Sequence, residues 1–88
     1  MKLNNKDKAL LEAWGYEPDS LAQIERATWK KSTTLTCGGK EISAERAIQI
    51  LGREVYLSGI ARSAFHYTAA RQAADGSMVY FDSYRMHE

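Results

Sequence analysis

Cys37, His66 and Asp82 are the side chains that could together carry out a nucleophilic reaction. In such chemistry a thiol attacks, a histidine removes its proton, and a carboxylate orients the histidine. The three residues come from different segments, and none is flanked by a signature of such a site. We therefore expect structural roles, with His66 and Asp82 making cross-strand hydrogen bonds on a solvated face.

The sequence also lacks the sets of residues that a metal site or a phosphate site needs. His66 and His87 are the two histidines, and neither has paired carboxylates at ligand spacing. Cys37 is the single cysteine, which excludes an internal disulfide and a multi-cysteine metal site. The Gly38-Gly39 doublet lacks the lysine and hydroxyl of a phosphate-binding loop, so it indicates a turn. The sequence predicts a protein that is not an enzyme and binds no cofactor.

The basic and aromatic residues are distributed unevenly along the chain. Six lysines lie at or before Lys40 and none after it, whereas five of the six arginines and four of the five tyrosines follow it. Arginine and tyrosine are enriched at protein interfaces, so this half is the candidate binding surface. The alternative is that acidic residues neutralise the arginines and that the tyrosines belong to the core or its rim. The candidate partner-binding residues are Arg53, Tyr56, Arg62, His66, Arg71, Tyr80, Asp82 and Tyr84.

Two helices are predicted at the start of this half. Ser43 is a suitable N-cap, and apolar residues at helical spacing indicate a helix over residues 44–51 that Gly52 ends. A second helix of about ten residues follows Gly52. Gly59 within it lowers helix stability by about 1 kcal/mol relative to alanine, which indicates either a close backbone approach or an early helix end.

From Ser63 onward the apolar period changes from helical to alternating, which predicts a hairpin of residues 64–72 and 77–83. A three-residue loop, with Gly76 at positive φ, is favoured over a two-residue turn because the two-residue turn divides the apolar residues between faces. In the favoured register one face carries Phe65, Tyr67, Ala69, Val79 and Phe81. The other carries His66, Thr68, Ala70, Gln72, Met78, Tyr80, Asp82 and Tyr84.

The N-terminal half predicts two short helices and a small hairpin. Asn4 or Asn5 caps the first helix and Gly15 ends it, while Pro18 or Ser20 begins the second. We expect the tryptophans of this pair, Trp14 and Trp29, to close the core. The β-branched run of residues 32–37 turns back at Gly38-Gly39 through residues 40–42. The predicted fold is one α+β domain, residues 1–88, in which two N-terminal helices, a short hairpin, two further helices and a C-terminal hairpin form an antiparallel sheet with helices on one face.

Size and charge set the limits of function. The chain has 88 residues, 44% of them hydrophobic, and a formal net charge of +1. This charge gives neither the basic footprint of a nucleic-acid-binding protein nor the acidic surplus of a DNA mimic. The N-terminus lacks the apolar core of a signal peptide, and no uncharged run approaches the roughly 20 residues that span a bilayer. We expect a cytoplasmic protein with no membrane partner.

The run I-S-A-E-R-A-I-Q-I-L-G of residues 42–52, followed by a helix with Ile60 and then a hairpin, resembles the helix-turn-helix and wing of excisionase-type and MerR-type DNA-binding proteins. The resemblance covers about half of the chain. It implies that the second helix enters the major groove and that the wing touches the backbone. By position, the contacts would come from Arg53, Tyr56, Ser58 and Arg62.

A protein-binding inhibitor is the competing class and the one we favour. Small, single-domain, near-neutral α+β proteins are typical of accessory proteins of phages and other mobile elements, including anti-CRISPR proteins, which is an analogy of size and style. The expected partner is a host protein that handles nucleic acid, such as a nuclease complex. A homodimer through the outer hairpin edge or the Trp14 region is compatible with either class.

Overall fold

The computed structural model describes residues 3–29 and 32–87. Its elements are, in chain order, α1 (Asn5–Ala13), α2 (Pro18–Trp29), β1 (Thr34–Cys37), β2 (Lys40–Ile42), α3 (Ala44–Leu51), α4 (Arg53–His66), β3 (Thr68–Gln72), β4 (Met78–Asp82) and a 3₁₀ turn (Tyr84–His87). Four α-helices and one four-stranded antiparallel sheet confirm the predicted α+β class. None of the described helices is long and apolar enough to cross a bilayer.

Local capping explains where the helices begin. The Asn4 side chain accepts from the Asp7 N–H, and the Asp7 carboxylate accepts from the Asn4 N–H, so α1 begins with a reciprocal capping box. Pro18 occupies the first position of α2, where its missing N–H costs nothing. Ser43 accepts from the Arg46 N–H at the start of α3. These starts agree with those that the sequence predicts.

The two hairpins join side by side in the order β2-β1-β4-β3. Ala69 lies opposite Phe81, and Phe81 lies opposite Leu35, so three apolar residues form a row on the face towards the helices. The Ala73 N–H bonds the Ser77 carbonyl across a three-residue loop in which Gly76 has a φ of 91°. The favoured register of the C-terminal hairpin is therefore confirmed.

Helix α4 is the central element of the core. Seven of its residues are buried, and they face α2, α3 and the sheet: Tyr56, Leu57, Gly59, Ile60, Ala61, Ser63 and Ala64. A Cβ on Gly59 would lie 2.5 Å from Cε1 of Phe81, so the ring packs directly on the helix backbone. Of the two interpretations of Gly59, the close approach is the correct one, and the helix continues beyond it.

A chain of hydroxyl groups ties α4 to the sheet. Ser83 Oγ donates to Ser63 Oγ at 2.9 Å, and it also lies 2.7 Å from Thr33 Oγ1. Ser63 Oγ donates to the Ile60 carbonyl. Ser63 and Ser83 are fully buried, so these bonds satisfy polar atoms that water does not reach.

Two sequence expectations are wrong here. The predicted strand from Ala64 begins only at Thr68, because the buried stripe of α4 continues through Ala64 and the Phe65 ring packs on Tyr16 with centroids 6.1 Å apart. Trp14 does not close the core: it is 42% exposed, since it follows the last turn of α1 where Gly15 redirects the chain at a φ of 97°. The side chain of Trp29 lies outside the described part of the structure.

Candidate functional site

Four of the eight predicted partner-binding residues meet at one place. Arg62 and His66, from the end of α4, line a surface depression of about 520 Å³ together with Tyr80 and Asp82 of β4. Its lining also includes Thr34, Thr36, Thr68, Ala69, Ala70 and Phe81. The depression is therefore lined both by outward-facing strand residues and by the last turns of α4.

The strand register explains this arrangement. Alternate residues of a strand point to opposite faces, so the partners of an outward-facing residue also face outward. One outward row is Thr34, Asp82 and Thr68, and the next is Glu41, Thr36, Tyr80 and Ala70. We call the outward residues of the four strands the open sheet face: Thr34, Thr36, Glu41, Thr68, Ala70, Gln72, Met78, Tyr80 and Asp82. Tyr80 is its largest side chain and is 53% exposed.

Tyr84 adjoins this face in a stacked pair with Tyr67. Their ring centroids are 5.1 Å apart with planes inclined by 27°, and both rings are exposed. The Tyr84 N–H donates to Asp82 Oδ1 at 3.0 Å, and the Ser83 N–H donates to the Tyr67 carbonyl at 2.7 Å. The pair is therefore held by backbone bonds on both sides.

Sequence reasoning missed Tyr67 because it assigned this residue to the inward face of a strand. Tyr67 instead follows the last residue of α4 with φ 72° and ψ −41°. Among the residues that the structure describes, it is the one non-glycine residue with a positive φ. Such backbone geometry is unfavourable for a tyrosine and persists only where its surroundings hold it. The apolar residues keep their helical spacing up to the end of α4 at His66. This signal could have placed Tyr67 at the end of the helix.

Arg53 is not a free surface cation. Its Nε and Nη2 donate to the two carboxylate oxygens of Asp7 at 2.7 and 2.6 Å, and the Asp7 side chain is only 3% exposed. The hydrogen bond from Arg53, followed by that from the Asn4 backbone, lowers the pKa of Asp7 against the opposing effect of burial. The pair ties the start of α4 to α1, so the main role of Arg53 is structural.

Arg71 is also used within the fold. Its side chain lies on the helix side of β3, where Nε donates to Ser58 Oγ at 2.8 Å and Nη2 to the Ser58 carbonyl at 3.2 Å. Nη1 donates to the carbonyl of Ala70 at 2.8 Å. The guanidinium therefore joins α4 to the outer edge strand.

Tyr56 is buried rather than presented to a partner. It is 1% exposed, and its ring packs against Phe81 with centroids 6.0 Å apart. Burial raises the pKa of Tyr56 to about 12, and the charge of Glu45 acts in the same direction. Its placement in the binding set was wrong because helical spacing brings Tyr56 onto the same buried stripe as Ile60.

The three residues considered for nucleophilic chemistry are not brought together. Cys37 lies opposite Val79 on the helix side of the sheet, whereas Asp82 lies on the open sheet face beside His66. Within residues 3–29 and 32–87, no three His, Cys, Asp or Glu side chains are grouped so as to hold a metal ion. The side chain of His87 is outside the described part. No family model, no curated protein and no solved structure matches this chain.

Proposed function

We propose that this chain is a non-catalytic binding protein that recognises another protein through the open sheet face and the Tyr67–Tyr84 pair. The observation that carries the proposal is the exposure of Tyr80 at the centre of a rigid sheet face, beside a depression lined by Arg62 and His66. Tyrosine, methionine and arginine are enriched at protein interfaces, and lysine is depleted. The strand positions of this face include Tyr80 and Met78 and no lysine.

The open sheet face is well suited to binding because its residues have little conformational entropy left to lose. Its backbone is fixed by the sheet ladder on both sides of β4. A tyrosine presents a large contact area with only two rotatable side-chain bonds, and the threonines beside it are short and stiff. Ordering this surface should therefore cost little free energy when a partner binds.

Charge favours a protein partner over nucleic acid. Phosphate recognition needs several cations on one surface. Arg53 is paired with Asp7, and Arg71 bonds Ser58, so Arg62 is the one arginine at the depression, where Asp82 offsets its charge. Helix α4, which the helix-turn-helix resemblance assigns to the major groove, buries half of its fourteen residues against the rest of the chain.

The finer prediction from the sequence is that the partner is a cytoplasmic host protein handling nucleic acid, and that the chain is a phage or mobile-element inhibitor of it. Affinity capture from a host lysate, with and without nuclease treatment, tests this part. A single protein recovered under both conditions supports it, and the identity of that protein decides whether the inhibitor class is correct.

Alanine substitution on the face is the direct test. Tyr80→Ala should weaken binding of the captured partner by about 2 kcal/mol, or roughly 30-fold, as expected for a central aromatic residue. Trp14→Ala is the matched control, because it removes an exposed aromatic residue outside the face. Circular dichroism establishes that both variants are folded. Equal affinities of Tyr80→Ala and wild type would refute the proposal.

A titration with duplex DNA of mixed sequence tests the DNA-binding alternative. The duplex should not bind at low salt, where non-specific attraction to phosphate is strongest. Submicromolar duplex binding that Arg62→Ala abolishes and Tyr80→Ala leaves unchanged would establish the DNA-binding alternative instead. A homodimer, tested by sedimentation at several concentrations, is compatible with either outcome.

A further inference from the structure

Strand β3 is one edge of the sheet, and some of its backbone groups face away from β4. The Ser83 N–H donates to the Tyr67 carbonyl at 2.7 Å, so this pair is a hydrogen-bonded one. Hydrogen-bonded pairs recur at every second residue of an antiparallel ladder, so residues 69 and 71 also turn their backbone groups towards β4. The N–H and carbonyl groups of Thr68, Ala70 and Gln72 therefore point outwards, where no strand of the described chain lies.

This edge has little of the protection that keeps sheet edges from pairing. Natural edge strands are protected by being very short or by carrying lysine, proline or a bulge. The other edge follows this rule, because β2 has three residues and the first is Lys40. Strand β3 has five residues without lysine or proline, and it pairs with β4 residue by residue, without a bulge. Its protection is Arg71, whose Nη1 donates to the Ala70 carbonyl and occupies one of the two lone pairs of that oxygen. Strand β3 is therefore partly open to pairing with another strand.

A second copy of β3 fits this edge in an antiparallel register centred on Ala70. There the two Ala70 residues form a hydrogen-bonded pair, and Thr68 of each copy lies opposite Gln72 of the other. A methyl side chain at the centre lets the two backbones approach, and Thr68 and Gln72 are polar neighbours that can bond each other. Arg71 lies opposite Ala69 of the other copy, so like charges do not meet directly. The strand is therefore self-complementary, as a twofold interface requires.

Charge favours a second copy over an unrelated strand. Arg62 and His66 line the depression beside the first residues of β3, and Arg62 makes no ion pair or hydrogen bond with residues 3–29 or 32–87. Asp82 lines the same depression, but it lies beyond ion-pair distance of Arg62. Asp75 is exposed in the loop that follows the other end of β3. A twofold axis at the centre of β3 turns the basic end of each copy towards the acidic loop of the other. Exposed charges attract over about 8–10 Å at physiological ionic strength, so both halves of the interface gain from this arrangement.

We propose that two copies of this chain pair through β3, in antiparallel register about Ala70, and form one continuous sheet. The strand order across the dimer is then β2-β1-β4-β3-β3-β4-β1-β2. Because Tyr80 lies opposite Ala70 in each copy, the two Tyr80 residues share one row and lie three strand spacings apart, or about 14 Å. The contact is made by the β3 edges, so both tyrosines stay exposed. The dimer does not depend on the proposed protein partner, and it presents that partner with two copies of the open sheet face side by side.

The interface is short, and Arg71 competes for the Ala70 carbonyl, so the dimer should be weak. Sedimentation velocity of the full chain should give mainly monomer at about 10 μM and a dissociation constant of about 100–300 μM. Ala70→Pro removes an outward N–H and no bond to β4, so this variant should stay folded and fail to dimerise. A wild-type chain that remains monomeric at about 1 mM would overturn the proposal, as would a folded Ala70→Pro variant that dimerises like wild type.

Charge complementation tests the register. One double variant carries Thr68→Lys and Gln72→Lys, and the other carries Thr68→Glu and Gln72→Glu. Positions 68 and 72 face each other across the interface, so like charges meet in each variant alone and opposite charges meet in the mixture. Each variant alone should dimerise at least about tenfold more weakly than wild type, and the mixture at least as tightly as wild type. The same charges at Ala9 and Ala13, two exposed residues of α1, are the matched control. If mixing restores no more dimer for the β3 variants than for the α1 variants, the assignment is wrong.

Discussion

Gly59→Ala tests the packing on which the whole sheet depends. Helix α4 and β4 approach so closely that a Cβ at position 59 would lie 2.5 and 2.8 Å from Cε1 and Cε2 of Phe81, and nearer still to Cζ. Ordinary van der Waals contact begins near 3.4 Å, so the ring would have to retreat by about 1 Å to free its nearest atom, Cζ. Phe81 is 1% exposed and packs on Tyr56, so a shift of its ring would disturb its core contacts.

Two effects of opposite sign decide how far Gly59→Ala changes the free energy of unfolding. Alanine in the middle of a helix is more favourable than glycine by about 1 kcal/mol. Overpacking of a tight core costs about 1–3 kcal/mol, and a displacement of this size by a rigid ring belongs near the upper end. The net loss in the free energy of unfolding should be about 1–2 kcal/mol, which lowers the melting temperature by about 5–10 °C in a domain of this length.

Urea denaturation followed by circular dichroism measures this loss, and a double-mutant cycle supplies the control. With Phe81→Leu in the background the ring is gone, so Gly59→Ala should there be neutral or stabilising by up to about 1 kcal/mol. The coupling energy between the two sites is then about 2 kcal/mol. A Gly59→Ala variant more stable than wild type, or equally harmful in both backgrounds, would refute the close-approach argument.

Three further predictions concern single contacts. The hydrogen bond from Arg53 lowers the pKa of Asp7, so this pair stabilises the fold above the unfolded-state pKa of about 4 and is lost as the pH falls through the folded value. Asp7→Asn should therefore cost about 1–2 kcal/mol in urea denaturation at pH 7 and approach wild type at pH 2. Burial raises the pKa of Tyr56 to about 12, above the unfolded value of about 10, so stability should fall from about pH 10 towards pH 12, and Tyr56→Phe should remove this component. Arg71→Ala should lower the free energy of unfolding by about 1–2 kcal/mol and leave the carbonyl of Ala70 without its donor at the sheet edge. An unpaired edge favours pairing with a second copy, so sedimentation should show more self-association, and an unchanged monomer would show that Arg71 does not protect this edge.

Local signals predicted most of the fold. Capping residues, glycines at positive φ and alternating apolar residues define each element with information from its immediate neighbours. The loop with Gly76 was sufficient to choose the hairpin register, because one slip would have moved Val79 and Phe81 to solvent. The border between α4 and β3 was misplaced because Ala64 and Phe65 satisfy both periods, and only the packing of Phe65 on Tyr16 decides for the helix.

The site was harder to predict, since its errors come from contacts between distant parts of the chain. Arg53 and Asp7 are 46 positions apart, and Arg71 and Ser58 are 13 apart, so nothing in the local sequence shows that these arginines are engaged. Tyr80 and Asp82 were placed correctly because alternation within one strand assigns their face. Residues whose role depends on a strand period are predictable, and those that depend on a partner in another element are not.

The open sheet face follows from the size of the chain as well as from its sequence. A chain of this length supports one core, and here α4 and its neighbouring helices cover one side of the sheet and leave the other uncovered. Being uncovered would not indicate a function if the face carried the long charged residues of an ordinary solvated surface. Instead its centre carries Tyr80 between Thr36 and Ala70, and its margin holds Tyr67 at a backbone angle that costs free energy. Exposed aromatic residues and local strain in the same place are difficult to explain by stability alone, and they are the reason why we propose this face as the binding surface.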